Sequence, residues 1–251
     1  MSTYLEERLQ WYDDNYRAGN ALISDAQFDQ LENNLFRINP KCDYFIAKNN
    51  LILPSLPKDQ LKEFLEGLLN KTRLIVEPKI DGCAIGLQYQ DGLLTKAISR
   101  KGKDVTNKLI EIPDVPKKIK VKGLFQVRGE LFAPSEYERP NYSQSQACGY
   151  LRAADSTSDH LSFCGFQIIN GKLNQHESLV YLEKIGFTIP ENHFCNYTSG
   201  VEIFRKNWLD KKLFSNYPTD GIVIKINSRK LQLLREKSYG CYPYWQMAIK
   251  Y

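Results

Sequence analysis

The segment Glu77-Pro78-Lys79-Ile80-Asp81-Gly82 alternates three charged residues with two apolar ones. In an extended backbone residues two apart share a face, so the Lys79 amine would stand between two carboxylates. A lysine amine relieved of its proton is a nucleophile for covalent group transfer. Taken alone, K-x-D-G is a weak signal, because a surface lysine beside a turn explains it equally well. Three other segments repeat the logic. In FQVRGELF, Arg128 and Glu130 share a face opposite Val127 and Leu131. In DGIVIKI, Ile222, Ile224 and Ile226 take one face and Lys225 the other. In WQMAIK, Lys250 faces away from Met247 and Ile249. One lysine opposite an apolar stripe ordinarily points into water; four strands built this way outline a charged site.

The elements that must position these residues follow from periodicity. Leu5, Leu9, Tyr12 and Tyr16 recur at helical spacing, and Ser24 with Gln27 forms a capping box opening a second helix through Phe28, Leu31 and Leu35. Pro40, Pro54 and Pro57 interrupt that pattern before a third amphipathic segment with Leu61, Phe64, Leu65 and Leu68. A domain boundary is expected near residues 50 to 58. From Leu74 the period changes: LIVEPK, AIGLQY, an Asp91-Gly92 turn and LLTKAISR predict a strand followed by a hairpin. FQVRGELF, FCGFQII, DGIVIKI and WQMAIKY are further strands, separated in places by helices near 177 to 185, 201 to 212 and 229 to 237. The pattern is α+β with largely antiparallel sheets.

Composition bounds the rest. The chain has 251 residues, 42% of them hydrophobic and 25% charged, which fits a globular protein with a sizeable core. No apolar run approaches the ~20 residues of a membrane span, and a cytoplasmic protein is expected. Six scattered cysteines without a C-x-x-C pair, and three distant histidines, signal neither zinc nor a disulfide framework, so free thiols are expected. A net charge of +5 is modest, but lysines 117, 118, 120 and 122, the pair 211 and 212, and the group Arg229, Lys230, Arg235 and Lys237 are candidate phosphate patches or plain solvated faces.

The order of these motifs resembles the covalent nucleotidyltransferases: DNA ligases, RNA ligases and capping enzymes. Glu77 to Gly82 resemble the family's nucleophile motif, Ser99 to Asn107 its arginine-containing loop, Val127 to Glu130 its VRGE strand, Asp220 to Lys225 its D-G-x-V-x-K motif and Trp245 to Lys250 its W-x-x-A-x-K motif. The resemblance implies an ATP-grasp-like ligase adenylation domain in which Lys79 bonds to AMP, Glu77 orients adenine, Arg100 and Glu130 contact ribose, and Lys225 and Lys250 contact the α-phosphate. An attacking amine must be neutral, and two nearby cations would disfavour its protonated form. Magnesium is implied, with Asp81, Glu130 or water helping to hold it. Arg128 and Arg152 are the implied DNA contacts.

ISDAQFD at 23 to 29 resembles the small helical domain peculiar to NAD-dependent DNA ligases, which ATP-dependent relatives lack. That likeness implies NAD as AMP donor, a nicotinamide mononucleotide (NMN)-binding helical domain over 1–55, and an adenylation domain over 56–251. Tyr16, Asp25, Phe28 and Asp29 would lie near the nicotinamide end, although a capped helix with Phe28 in a core accounts for the same residues. LPSL, with Ser55 and Leu56, resembles the stretch leading into the adenylation domain. The family's glycine-rich loop is shortened here to SRKGKDVT, its tyrosine-histidine pair is not clear around Asn15, Tyr16 and Arg17, and ACGYLR follows Gln144 where the family has arginine. The family also continues into an OB-fold, a zinc module, helix-hairpin-helix repeats and often a BRCT domain; Tyr251 follows Lys250 directly, so a truncation or a second polypeptide supplying those modules is expected. Transfer of AMP to the 5′-phosphate of nicked double-stranded DNA is the implied outcome. The alternatives are an ATP- or GTP-using relative, and a nucleic-acid-binding remnant without chemistry.

Overall fold

The computed structural model describes residues 2–17, 22–39, 56, 58, 60–100, 102–134, 142–153, 155–169, 171–239 and 244–250. Helices α1 (Ser2–Arg17) and α2 (Asp25–Ile38) open the chain. Ser24 caps α2 as expected: its side chain accepts from the Gln27 backbone, and the Gln27 side chain accepts from the Ser24 N–H at 3.0 Å. Two of the donors that a helix start leaves unmet are thereby satisfied. Leu9 and Leu35 are fully buried in a small core of their own, with Leu5, Phe28 and Leu31 packed around them. The third amphipathic segment is a short helix, α3 (Leu61–Leu65), which buries Phe64.

Eight strands follow: β1 (Leu74–Ile80), β2 (Cys83–Gln90), β3 (Leu93–Ser99), β4 (Leu124–Phe132), β5 (Ser162–Ile168), β6 (His193–Cys195), β7 (Thr219–Ile226) and β8 (Gln246–Ile249). They form two antiparallel four-stranded sheets, ordered β6-β1-β7-β8 and β3-β2-β4-β5. The hairpin between β2 and β3 turns at Asp91 and Gly92, both at positive φ (49° and 83°), as a tight two-residue connection demands. Each sheet backs onto its own core. Leu74, Val76, Ile222, Ile224, Ile226, Trp245, Met247 and Ile249 lie behind the first; Ile85, Leu87, Tyr89, Val127, Leu131 and Phe163 lie behind the second. The opposite faces, with the charged residues, are left to line a cleft.

The remaining helices are α4 (Thr106–Leu109), α5 (Tyr142–Arg152), α6 (Gln175–Lys184), α7 (Val201–Leu209) and α8 (Arg229–Tyr239). The sequence pattern missed α5, which buries Ala147, Tyr150 and Leu151 from a segment rich in serine and glutamine. It also missed β6, whose three residues are too few to show alternation. The free-thiol expectation is corrected at one pair: Cys83, at the start of β2, and Cys148, in α5, form a disulfide with Cα atoms 6.3 Å apart, within the reach such a bond needs. Cys164 and Cys195 are free and buried; Cys42 and Cys241 lie outside the described residues. Among the described residues no helix is long and apolar enough to cross a membrane.

Candidate active site

Two irregularities in the ladders shape the cleft. Between β1 and β7, Pro78 pairs with Ile222 but Ile80 pairs with Thr219, so β7 carries one extra residue at Asp220-Gly221. Strict alternation would place Asp220 on the isoleucine face; the bulge turns it to the cleft instead. Gly221 is required there, because a Cβ would collide with the Ile249 carbonyl of β8. Between β4 and β5, Arg128 pairs with Gln167 but Gly129 pairs with Gly165, leaving Phe166 as the extra residue. Its carbonyl faces the first sheet and accepts from Lys225 at 3.2 Å and from Gln175 at 3.1 Å.

The mouth of the cleft is a shared ion pair. Lys79 Nζ donates to Asp220 Oδ1 at 2.5 Å and Lys250 Nζ to Asp220 Oδ2 at 2.6 Å, so one carboxylate holds two ammonium groups. Burial alone would raise the Asp220 carboxyl, but hydrogen bonds from Lys250 and Lys79 outweigh it and hold the group below the usual carboxylate range. Asp81 moves the other way: desolvation and then the neighbouring Asp220 charge push it up. Glu130, on β4, is pushed up to about 8, mainly by desolvation; Lys79 and Arg100 pull it back, and Asp81 and Asp220 add to the rise. Part of the Glu130 surface still meets solvent, so its setting is crowded rather than sealed. Gly82 allows this crowding, since a Cβ there would meet the Leu131 carbonyl and the Glu130 side chain.

The deep end is sealed. Glu77 on β1 and Lys225 on β7 are both 2% exposed and bond at 2.6 Å. The second Glu77 oxygen accepts from Gln175 at 2.9 Å. Desolvation lowers the Lys225 amine, while Glu77 opposes the shift. The Lys225 ammonium also lies 4.9 Å from the centre of the Phe166 ring. Beyond Gln175 a cavity of about 150 Å³ is lined by Arg128, Gln167, Ser178, Arg229, Gln232 and Trp245.

The structure thus brings together Lys79, Asp81, Arg100, Glu130 and Lys250 at one end, and Glu77 with Lys225 at the other. The two cations expected near the amine are themselves paired: Lys225 bonds to Glu77, and Lys250 shares Asp220 with Lys79. Arg128 lines the polar cavity, whereas Arg152 ends α5 on the exposed surface. Phe28 packs on the small core of the first two helices, and Leu56 is half-buried. Ser55 and the side chains of Tyr16, Asp25 and Asp29 lie outside the described residues. Sequence reasoning placed Asp220 in a motif but gave it no role, and it overlooked Phe166 and Gln175. The D-G pair inside a strand pattern was a signal for the first, since glycine there marks a bulge or a close approach; nothing local marked the other two. Among the described residues no group of three His, Cys, Asp or Glu stands ready to hold a metal ion.

Comparison with known proteins points to one family. The profile of the NAD-dependent DNA ligase adenylation domain matches residues 55–251. A DNA ligase from Petrotoga mobilis is 29% identical over 294 aligned positions, spanning 94% of this chain and 44% of that protein. A DNA ligase from Gloeobacter violaceus is 33% identical over 203 positions, spanning 70% of this chain and 30% of that protein. The chain therefore spans less than half the length of these relatives. A solved structure named Pmar-Lig_Pre aligns with TM-score 0.57 at 12% identity, over 92% of this chain and 52% of that one, a likeness of fold. With the matched region holding both ends of the cleft, the chain belongs to the NAD-dependent DNA ligase adenylation domain family.

Proposed function

We propose that this chain performs the adenylation step of a DNA ligase with NAD as AMP donor. The Lys79 amine attacks the α-phosphorus; an N–P bond forms, the pyrophosphate P–O bond breaks, NMN leaves, and the amine gives up a proton to leave a lysyl-AMP phosphoramidate. The supporting observation is the shared contact of Lys79 and Lys250 on Asp220 at the mouth of a cleft whose other end is a buried Glu77–Lys225 pair. An α-phosphate entering the mouth would compete with Asp220 for the Lys250 ammonium, placing positive charge where negative charge develops. Glu77 uses one lone pair of each oxygen on Lys225 and Gln175, which leaves acceptor capacity for the adenine amine. Arg100 and Glu130 would meet the ribose. Helices α1 and α2, with Tyr16, Asp25, Phe28 and Asp29, are assigned to the nicotinamide end, and residues near 55 to the boundary between the two domains.

Mg2+ fits this reading, because it is commonly held by one or two carboxylates together with substrate phosphates and water. Asp81 and Glu130, whose carboxyls are both raised by their surroundings, are the residues that would hold it. When bound it would offset charge on the reacting phosphate. In a full ligase the AMP passes to the 5′-phosphate of nicked DNA and the 3′-hydroxyl displaces it.

The test is incubation with adenylate-labelled NAD and Mg2+ beside Lys79→Ala. Labelled wild type and unlabelled variant are expected; an unlabelled wild-type chain overturns the reading.

A further inference from the structure

Gln246 stands opposite Lys225 in the β7–β8 register. Its neighbours Trp245 and Met247 belong to the core behind the sheet, so alternation turns Gln246 toward the cleft. The residue is 2% exposed, and its Nε2 is buried without a hydrogen-bond partner among the described residues. Native folds rarely keep such a group unmet, and a ligand that supplies the missing acceptor is one reason they do. Two neighbouring donors are already engaged: Lys225 with Glu77 and the Phe166 carbonyl, and Gln175 with the same two groups. On the opposing sheet, Gln167 Oε1 is likewise buried and unpartnered among the described residues. Gln246 and Gln167 thus give the two walls a donor and an acceptor beyond the Glu77–Lys225 pair. Adenine carries the complement, with ring nitrogens that accept and an exocyclic amine that donates.

We propose that Gln246 is a base-recognition residue, donating from its side-chain amide to a ring nitrogen of the adenine of NAD. The assignment rests on the adenylation reading above and adds to it the group that distinguishes a ring nitrogen from a ring carbon. A site built to hydrogen-bond one atom rejects the analogue lacking it, because the buried donor is then left unpaired.

The experiment measures lysyl-AMP formation with NAD and with three analogues in which adenine N1, N3 or N7 is replaced by C–H, on wild type and on the near-isosteric Gln246→Met. One analogue is expected to raise the wild-type KM about tenfold. In Gln246→Met, NAD itself should show that same rise, the analogue should add less than about twofold, and kcat should stay within about twofold. Gln246→Leu serves as the second variant if the first does not fold. If no analogue is discriminated by wild type, or if the variant discriminates it equally, the proposal is overturned. Wild type labelled by NAD but showing no coupling sinks only this proposal, whereas wild type that is never labelled sinks the adenylation reading itself.

Discussion

At the deep end of the cleft the Lys225 and Glu77 side chains are 2% and 3% exposed; at the mouth Lys79, Asp220 and Lys250 are 22%, 25% and 33% exposed. Lysine and a carboxylate form ion pairs of nearly equal length in both places, yet water reaches only the second set. Sealed charges hold one geometry, because separating them leaves a bare ion in a poorly polarisable medium. Partly wetted charges exchange partners at little cost. A site that recognises at one end and reacts at the other needs this asymmetry: the deep pair fixes position, and the mouth can trade Asp220 for a phosphate.

The largest break in that comparison should come from removing one lysine at each end. Lys225→Met strands the Glu77 carboxylate and is expected to cost about 3–5 kcal/mol of stability, whereas Lys250→Met should stay within about 1 kcal/mol; urea denaturation of both variants measures the gap, and equal losses would erase the distinction. Asp220→Asn should next slow lysyl-AMP formation about 10²–10³-fold while shifting the melting temperature by only a few degrees, since the carboxylate organises two cations and supports little packing. A variant that melts early but labels normally would reverse the assigned role. A pH-dependent effect concerns Glu130, whose carboxyl rises from its ordinary 4.5 to about 8. Through that window the folded chain keeps a proton the unfolded chain has lost, so stability falls as pH rises from about 4.5 to about 8. Glu130→Gln removes the slope: it should melt above wild type near pH 8.5 and level with it near pH 4, as thermal scans across pH would show.

Much of the site was legible because strand alternation is a local rule. Glu77 and Lys79 on one segment, Arg128 and Glu130 on another, and Lys225 opposite three isoleucines all take the faces that counting by twos assigns. Asp220 escaped because the same counting puts it with the isoleucines, and only a bulge in register with β1 reverses it. Gln175 escaped for a different reason: it meets Glu77 across 98 residues of sequence, and no local pattern encodes that distance. The Cys83–Cys148 link, separated by 65 residues, was hidden in the same way, since spacing alone cannot tell which helix lands on which strand. The helical pair was visible through its cap, and Phe28 packs on its leucines as the apolar spacing allows.

The extra residue at Asp220-Gly221 makes this stretch sensitive to length as well as to chemistry. Deleting Gly221 would restore regular pairing with β1 and bring Asp220 directly opposite Lys79 in the ladder, changing the geometry by which one carboxylate spans two lysines even with every other side chain intact. The spacing from Thr219 to Lys225 therefore sets where this carboxylate sits, with one oxygen on Lys79 and the other on Lys250.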